Sequence, residues 1–163
     1  MAAEPAALAL RAPVACIVGP TASGKTDLAQ AVALALGGEV VSADSMQVYR
    51  GMDIGTGKIP LAERLVPHHG LDLVDPGQPF SAALFQRYAR DRFREIDARG
   101  LRSVLAGGTG FYVRAAIDGY EFPAGEQVDN PVRKRCARIA EQKGAEALWK
   151  MLSERDPASA AII

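Results

Sequence analysis

The chain has 163 residues, 48% of them hydrophobic, and its 19 basic and 19 acidic side chains cancel to a formal net charge of zero. This length suits one domain, or one domain and part of another, with ample apolar material for a core. The balanced charge does not by itself indicate a nucleic-acid partner, and two distant cysteines exclude a disulfide framework.

Residues 1–13 are rich in alanine, and we predict that they form a disordered tail. The segment has no basic start, and its apolar run is too short for a secretory signal. No apolar run in the chain approaches the roughly 18–20 residues that span a membrane. A cytoplasmic protein with no membrane association is therefore expected.

Residues 19–26 match the pattern of a phosphate-binding loop, in which Gly, four residues and a second Gly precede Lys and Thr or Ser. A continuous apolar run at 14–18 predicts a buried parallel strand before the loop, and the Ala- and Leu-rich run at 27–36 predicts a helix after it. Cys16 lies in the strand, where we predict a buried, reduced thiol. The loop itself consists of Gly19, Pro20, Thr21, Ala22, Ser23, Gly24, Lys25 and Thr26.

The chemistry of such a loop predicts a bound phosphorylated small molecule. Glycines let the backbone amides converge on an anion, and the N-terminus of the following helix adds positive charge. Lys25 can reach the outer phosphates, and the Thr26 hydroxyl is the predicted ligand for Mg²⁺. A glycine-rich turn without a ligand is the alternative, and the loop alone does not identify the group that is transferred.

Strands and helices are predicted to alternate along the rest of the first 118 residues. Further strands are predicted at 39–42, 71–74 and 103–106, and further helices at 81–99 and 111–117. This alternation predicts an α/β fold with a parallel sheet flanked by helices. Because ligands of such sheets bind at the carboxyl ends of the strands, we expect three segments to surround one crevice. They are the phosphate loop, the polar loop at 43–58 and the Gly-Gly-Thr-Gly turn at 107–110.

The composition changes after Gly119, and the remaining residues predict a separate helical unit. Asn130 is placed to cap a helix that runs to about residue 143, and Gly144 separates it from a second helix at 145–154. We predict a core domain at 14–118 and a helical domain at 119–163. The chain stops at an apolar Ile-Ile pair, which predicts that it is truncated.

Five blocks of the sequence together resemble the tRNA dimethylallyltransferases, also called isopentenyl-tRNA transferases. They cover residues 19–26, 42–49, 51–56, 67–69 and 106–110, and the resemblance extends over about 14–163. It implies a P-loop NTPase-like core with the start of a helical insertion domain, both incomplete here. The implied reaction moves a dimethylallyl group from dimethylallyl diphosphate to N6 of the adenosine 3′-adjacent to the tRNA anticodon, and diphosphate leaves.

The resemblance also implies roles for individual residues. Asp44 would be the general base, because the adenine amine is a poor nucleophile until its proton is taken; capping of a turn is the alternative. Thr109 would contact substrate near the diphosphate, with a helix N-cap as the alternative. Lys25 would neutralise the leaving diphosphate. The family positions that contact tRNA correspond to Asp44, Ser45, Met46, Gln47, Thr109 and Arg133.

Other polar residues receive weaker functional interpretations. Gln47 can pair with an adenine edge, and the basic cluster at 133–138 either contacts phosphate or forms a solvated helix face. We expect the face formed by Arg87, Arg90 and Arg94 to be solvated. The adjacent His68 and His69 are predicted to be structural or close to substrate, since neighbouring histidines rarely ligate one metal ion.

Two alternatives remain open at this stage. An ATP-dependent small-molecule kinase has the same core fold, and a non-catalytic nucleotide- or RNA-binding module is the alternative outside enzymes. Gly107 ends a strand where an NTPase would carry an aspartate for magnesium, which counts against ATP hydrolysis. The expected cofactor is Mg²⁺, and the expected partners of a monomer are the tRNA anticodon stem-loop and dimethylallyl diphosphate.

Overall fold

The computed structural model describes residues 9–122 and 130–163 of the chain. The chain divides into two compact units, with the division after Phe122, a few residues beyond the boundary that the sequence predicts. Most of the predicted tail, residues 1–8, lies outside the described residues, as does the 123–129 segment. In the rest of that tail Leu10 packs against the core, and the Arg11 backbone N–H donates to Asp97 Oδ1 at 3.1 Å.

The first unit is built on a four-stranded parallel sheet with strand order β1-β4-β2-β3. Its strands are β1 (Ala15–Val18), β2 (Gly38–Ser42), β3 (His68–His69) and β4 (Arg102–Gly107). The expected parallel α/β sheet is confirmed, but the prediction of the third strand at 71–74 is wrong. Pairing with β2 ends at His69 because the next residue, Gly70, has a left-handed φ of 84°, and a Cβ there would lie 2.5 Å from Ser42 O.

Helices cover both faces of this sheet, as expected. The helices of the first unit are α1 (Lys25–Leu36), α2 (Ala82–Ala98) and α3 (Gly110–Ile117), with a 3-10 turn at Leu61–Glu63. On one face, Ala29 and Ala33 of α1 pack in a small cluster that includes Val104. On the other face, α2 and α3 supply the larger core, where Phe85 stacks on Tyr112 with ring centroids 4.4 Å apart.

Among the described residues, β1 is an edge strand of the sheet. Cys16 is exposed and Val18 is 60% exposed. The prediction of a buried Cys16 is therefore wrong, because a continuous apolar run predicts a parallel strand but does not reveal whether strands pair on both of its sides. Three leucines of α1 are also exposed, namely Leu28, Leu34 and Leu36.

The second unit is helical and contains α4 (Pro131–Arg155) and α5 (Pro157–Ala160). Asn130 Oδ1 accepts the backbone N–H groups of Val132 and Arg133, which confirms the predicted cap. Gly144 interrupts α4 with a φ of 81° and a ψ of 166°, so the predicted break is confirmed as well. No helix in the described parts of the chain is long and apolar enough to cross a membrane.

Candidate active site

The phosphate loop joins β1 to α1 and has the left-handed backbone that its glycines allow. Gly24 has a φ of 78° directly before α1, and Ala22 also has a positive φ of 63°. Both Ser23 Oγ, at 2.9 Å, and Lys25 Nζ donate to the Pro20 carbonyl oxygen. Because an ammonium carries three N–H donors, Lys25 has two more for an anion.

A cavity of about 230 Å³ lies between this loop and the carboxyl ends of β2 and β4. Lys25 and Asp44 bring opposite charges to its wall, and Thr56 and Gly57 of the 43–58 loop close one side. Thr26 also lines the cavity, and its hydroxyl makes no hydrogen bond within residues 9–122. The three segments that the sequence predicts around one crevice therefore do meet there or border it.

Asp44 is half-buried, and its two carboxylate oxygens have different surroundings. Oδ1 accepts the backbone N–H groups of Met46, at 2.8 Å, and Gln47, at 3.3 Å. Within the described residues, Oδ2 has no hydrogen-bond partner. Turn capping and a catalytic role are consequently compatible, because the capped oxygen fixes the orientation of the other.

Thr109 holds the turn before α3 against the Asp44 loop. It occupies the N-cap position of α3, but its side chain makes no capping hydrogen bond. Instead Oγ1 accepts the Ser45 backbone N–H at 2.9 Å and lies 3.2 Å from Ser45 Oγ, to which it donates. The two predicted site residues Asp44 and Thr109 are thus linked through Ser45.

Gln47 uses both ends of its amide inside the protein. Its Oε1 accepts the Ser42 hydroxyl at 2.8 Å, and its Nε2 donates to the Thr56 carbonyl at 3.0 Å. One N–H and one lone pair are left for any adenine edge, so the predicted base contact stays a prediction. Met46, by contrast, is 46% exposed beside it.

The backbone around Gly107 explains why no carboxylate ends β4. A Cβ at Gly107 would lie 2.1 Å from the Ala43 carbonyl oxygen. The same carbonyl accepts the Thr109 N–H at 3.2 Å, while the Ala43 N–H donates to Ala106 O at 2.8 Å. This close approach of the Ala43 backbone to the end of β4 admits no side chain at position 107, and therefore no aspartate.

Lys58, which no sequence pattern singles out, secures the far end of the 43–58 loop. Its side chain is 4% exposed, and Nζ donates to Asp53, Asp72 and the Tyr49 carbonyl at 2.7–2.9 Å. Burial acts to lower the pKa of Lys58, but the hydrogen bonds to Asp53 and Asp72 outweigh it and raise that pKa. A single lysine in a polar loop carries no sequence signal for this arrangement.

The side chains of the adjacent His68 and His69 point in opposite directions, as those of neighbours on a strand do. His68 lines the cavity and places Nδ1 2.8 Å from the Val66 carbonyl, and burial lowers its pKa. His69 Nε2 lies 2.7 Å from the buried carboxylate of Glu39, which also pairs with Arg99. In the described parts of the chain no group of three or more His, Cys, Asp or Glu could hold a metal ion.

Basic residues outside the cavity fall into different environments. Arg87 and Arg94 are exposed, as expected, but Arg90 is half-buried and donates to the carbonyls of Ala116 and Asp118. The prediction that Arg90 is solvated is wrong, because the carbonyl groups at the end of α3 need hydrogen-bond donors from outside the helix. Arg133 is exposed in the first turn of α4, in the other unit.

A parallel sheet, a phosphate loop and a cavity at the strand ends define a P-loop NTPase-like α/β protein. The family model described as IPP transferase matches residues 47–163, and the model described as isopentenyl transferase matches residues 12–69. The chain belongs to the IPP transferase family.

Curated relatives agree with this assignment. The tRNA dimethylallyltransferase of Geobacillus kaustophilus is 50% identical over 151 residues, which are 92% of this chain and 48% of the relative. That of Paenarthrobacter aurescens is 51% identical over 150 residues, 91% of this chain and 48% of the relative. The chain spans about half the length of the curated relatives it matches.

Solved structures show the same relationship. The full-length tRNA isopentenylpyrophosphate transferase from Bacillus halodurans has a TM-score of 0.64 and 47% identity, over 92% of this chain and 50% of that one. A eukaryotic dimethylallyltransferase, described as acting on tRNA, has a TM-score of 0.78 and 29% identity, over 92% of this chain and 37% of that one.

Proposed function

We propose that the protein carrying this chain transfers a dimethylallyl group from dimethylallyl diphosphate to N6 of the adenosine 3′-adjacent to the tRNA anticodon. The names of its relatives support the reaction class. The observation that carries the proposal is the pairing of Asp44 with the phosphate loop across one cavity, where no second carboxylate follows β4.

In this reaction the bond between the allylic carbon and a diphosphate oxygen breaks, and a bond from that carbon to N6 forms. Negative charge grows on the leaving diphosphate, where the loop amides, the α1 N-terminus and Lys25 stabilise it. Asp44 accepts the proton that N6 loses, with Oδ2 as the available oxygen. Proton transfer to a positioned base contributes about 10²–10⁴-fold to such a rate.

The residues around Thr26 fit a magnesium ion of the kind that substrate phosphates help to hold. Mg²⁺ keeps several waters and takes one or two protein ligands together with phosphate oxygens. Thr26 lines the cavity, and its hydroxyl makes no hydrogen bond in the described first unit, so it is the ligand that we assign. Bound magnesium would supply further neutralisation of the diphosphate charge.

Contacts to tRNA are proposed at Ser45, Met46, Gln47, Thr109 and Arg133. The exposed Met46 side chain and the hydroxyls of Ser45 and Thr109 lie beside Asp44 and support a nucleotide site there. A target base stacked in an RNA loop has to be flipped out to reach this cavity. We further propose that the enzyme acts as a monomer in the cytoplasm.

Replacement of Asp44 by asparagine tests the proposal. The asparagine side chain keeps an oxygen for the Met46 and Gln47 N–H groups but cannot take a proton, so we expect transfer to fall about 10²–10⁴-fold. Binding of dimethylallyl diphosphate and of tRNA should stay within a few fold. Transfer is measured with labelled dimethylallyl diphosphate and an unmodified tRNA, in the protein at its natural full length.

Asp75→Asn is the matched control, because Asp75 is an exposed aspartate that pairs with Arg50 away from the cavity. It should leave transfer unchanged. Full activity of Asp44→Asn would exclude Asp44 as the base. Phosphate transfer from ATP, with no prenyl transfer, would instead support the kinase alternative.

A further inference from the structure

Three aromatic side chains, of which Phe111 is exposed and Tyr120 and Phe122 are half-buried, form a cluster at the start of α3 and in the segment that follows it. Ring centroids lie 5.8 Å apart for Phe111 and Tyr120, 6.1 Å for Phe111 and Phe122, and 6.2 Å for Tyr120 and Phe122. Phe111 is 53% exposed, and the Arg114 guanidinium lies 5.4 Å from the Tyr120 ring centre. We call Phe111, Tyr120 and Phe122 the aromatic platform.

Hydrogen bonds from α2 hold the segment beneath this platform. Gln86 Nε2 donates to the carbonyls of Ala115, at 2.9 Å, and Tyr120, at 2.8 Å. Arg90 donates to the two carbonyls just before and after the end of α3, at 3.2 and 2.6 Å. Phe122 also packs against the core. The platform is therefore attached to a well-packed part of the first unit.

The platform begins two residues after Thr109, which is bonded to the loop of the candidate active site. Thr109 Oγ1 binds the backbone of Ser45, the neighbour of Asp44. A nucleotide next to a base held at Asp44 would therefore pass close to the exposed face of Phe111. Arg114 provides a positive charge at the same surface, although Asp118 pairs with it at 3.2 Å.

We propose that the aromatic platform stacks an unpaired RNA base that neighbours the target adenosine. The inference rests on the proposed function, since it needs RNA at this cavity. When one base is flipped out of a loop, the neighbouring base loses its stacking partner. An aromatic side chain can take the place of that partner, because every base has a face that stacks. Phosphate contact from Arg114 would position the same nucleotide.

The test uses the natural full-length protein and an RNA hairpin whose loop carries the target adenosine. Loop nucleotides beside the target are replaced in turn by the fluorescent base 2-aminopurine, whose emission falls when it stacks. We expect quenching at one of these positions on binding. Phe111→Ala should abolish that quenching and weaken hairpin binding by about 5- to 100-fold, the range for loss of one stacked base.

Phe111→Trp should retain both the quenching and the affinity, because tryptophan offers a larger stacking face. Leu34→Ala is the control, since Leu34 of α1 has the same 53% exposure and should change neither readout. If the hairpin binds and is prenylated but its quenching and affinity are the same with Phe111→Ala, the stacking inference is wrong and the proposed function stands.

Two other outcomes also overturn the inference. If the wild-type protein binds no hairpin, both the inference and the proposed function are wrong. If Phe111→Ala lowers the melting temperature and leaves quenching intact, the platform is a surface that packs against protein and not against RNA.

Discussion

Gly107 ends β4 beside Ala43, the residue that follows the paired strand β2, and this close approach leaves no volume for a methyl group. A Cβ would sit 2.1 Å from the Ala43 carbonyl oxygen. We expect Gly107→Ala to lower the free energy of unfolding by at least about 3 kcal/mol, because backbone rather than a flexible side chain has to move. Urea unfolding measures the change.

Gly110 provides the control for this substitution. It lies three residues further on, at the start of α3, and nothing lies within 4 Å of the position of an added Cβ. Alanine there should be neutral or stabilise the helix by up to about 1 kcal/mol. Equal effects of the two substitutions would contradict the argument from close approach.

At the same scale, the sequence places the phosphate loop, Asp44 and Gln47 at the cavity that they line in the structure, but it does not indicate what each side chain binds. Asp44 and the loop residues follow from a motif and from the rule that ligands meet parallel strands at their carboxyl ends. The bond from Thr109 to Ser45 and the two bonds of the Gln47 amide depend on residues that are far apart in the chain or on opposite sides of a loop. Local patterns contain no information about such pairs.

At the scale of elements, an ion cluster around the buried Glu39 joins β2, β3 and the residue that ends α2. The Glu39 carboxylate is 4% exposed and binds the Arg99 guanidinium and His69. The hydrogen bond from Arg99 is the main reason why the pKa of Glu39 lies below its usual value, with a smaller contribution from His69.

This lowered pKa predicts how stability depends on pH. Below about pH 4.3, the Glu39 carboxylate becomes protonated in the unfolded chain but stays ionised in the folded protein. The stabilisation is therefore complete above that pH and is lost as the pH falls through the lower pKa of the folded state. Glu39→Gln should flatten this acid limb of the stability profile, as measured by urea unfolding at a series of pH values.

Glu63→Gln is the comparison for that experiment, because Glu63 is an exposed glutamate in the 3-10 turn. It should leave the acid limb as in the wild type. An unchanged limb in Glu39→Gln would mean that other carboxyl groups account for it.

Most elements were predicted to within one or two residues, the helix ends because boundary residues there have a direct physical effect, and only the third strand was misplaced. Ser81 caps α2 through a 3.3 Å bond to the Leu84 N–H, and Gly37 ends α1 with a φ of 62°. The third strand was misplaced because the 71–74 segment is largely apolar, whereas pairing with β2 is decided by the position of Gly70. Only Val74 of that segment makes a bridge, to Tyr49.

At the scale of the whole molecule, the α/β class follows from the alternation of elements, but the order of strands does not. Periodicity shows that a strand is apolar and does not show which strands flank it. The exposed position of Cys16 on β1 is a direct result of that order.

Thiol labelling of Cys16 tests whether the β1 edge is accessible to solvent in the 163-residue chain. In a Cys136→Ser variant, we expect Cys16 to react with a thiol reagent under native conditions. Partial burial raises the pKa of the Cys16 thiol, so the reaction should be slower than with a free cysteine and should accelerate as the pH rises, because the thiolate is the nucleophile. Protection of Cys16 until denaturant is added would contradict an exposed β1 edge.

The close contact between the ends of the paired strands β2 and β4 also has a consequence for temperature. Ala43 binds Ala106 and Thr109 through its N–H and its carbonyl, so the loop with Asp44 and the turn with Thr109 begin at one backbone junction inside the sheet. These two parts of the site cannot loosen separately while the sheet persists. The proposed transfer activity of the natural full-length protein should therefore rise with temperature until the sheet itself melts, without an earlier phase of local inactivation.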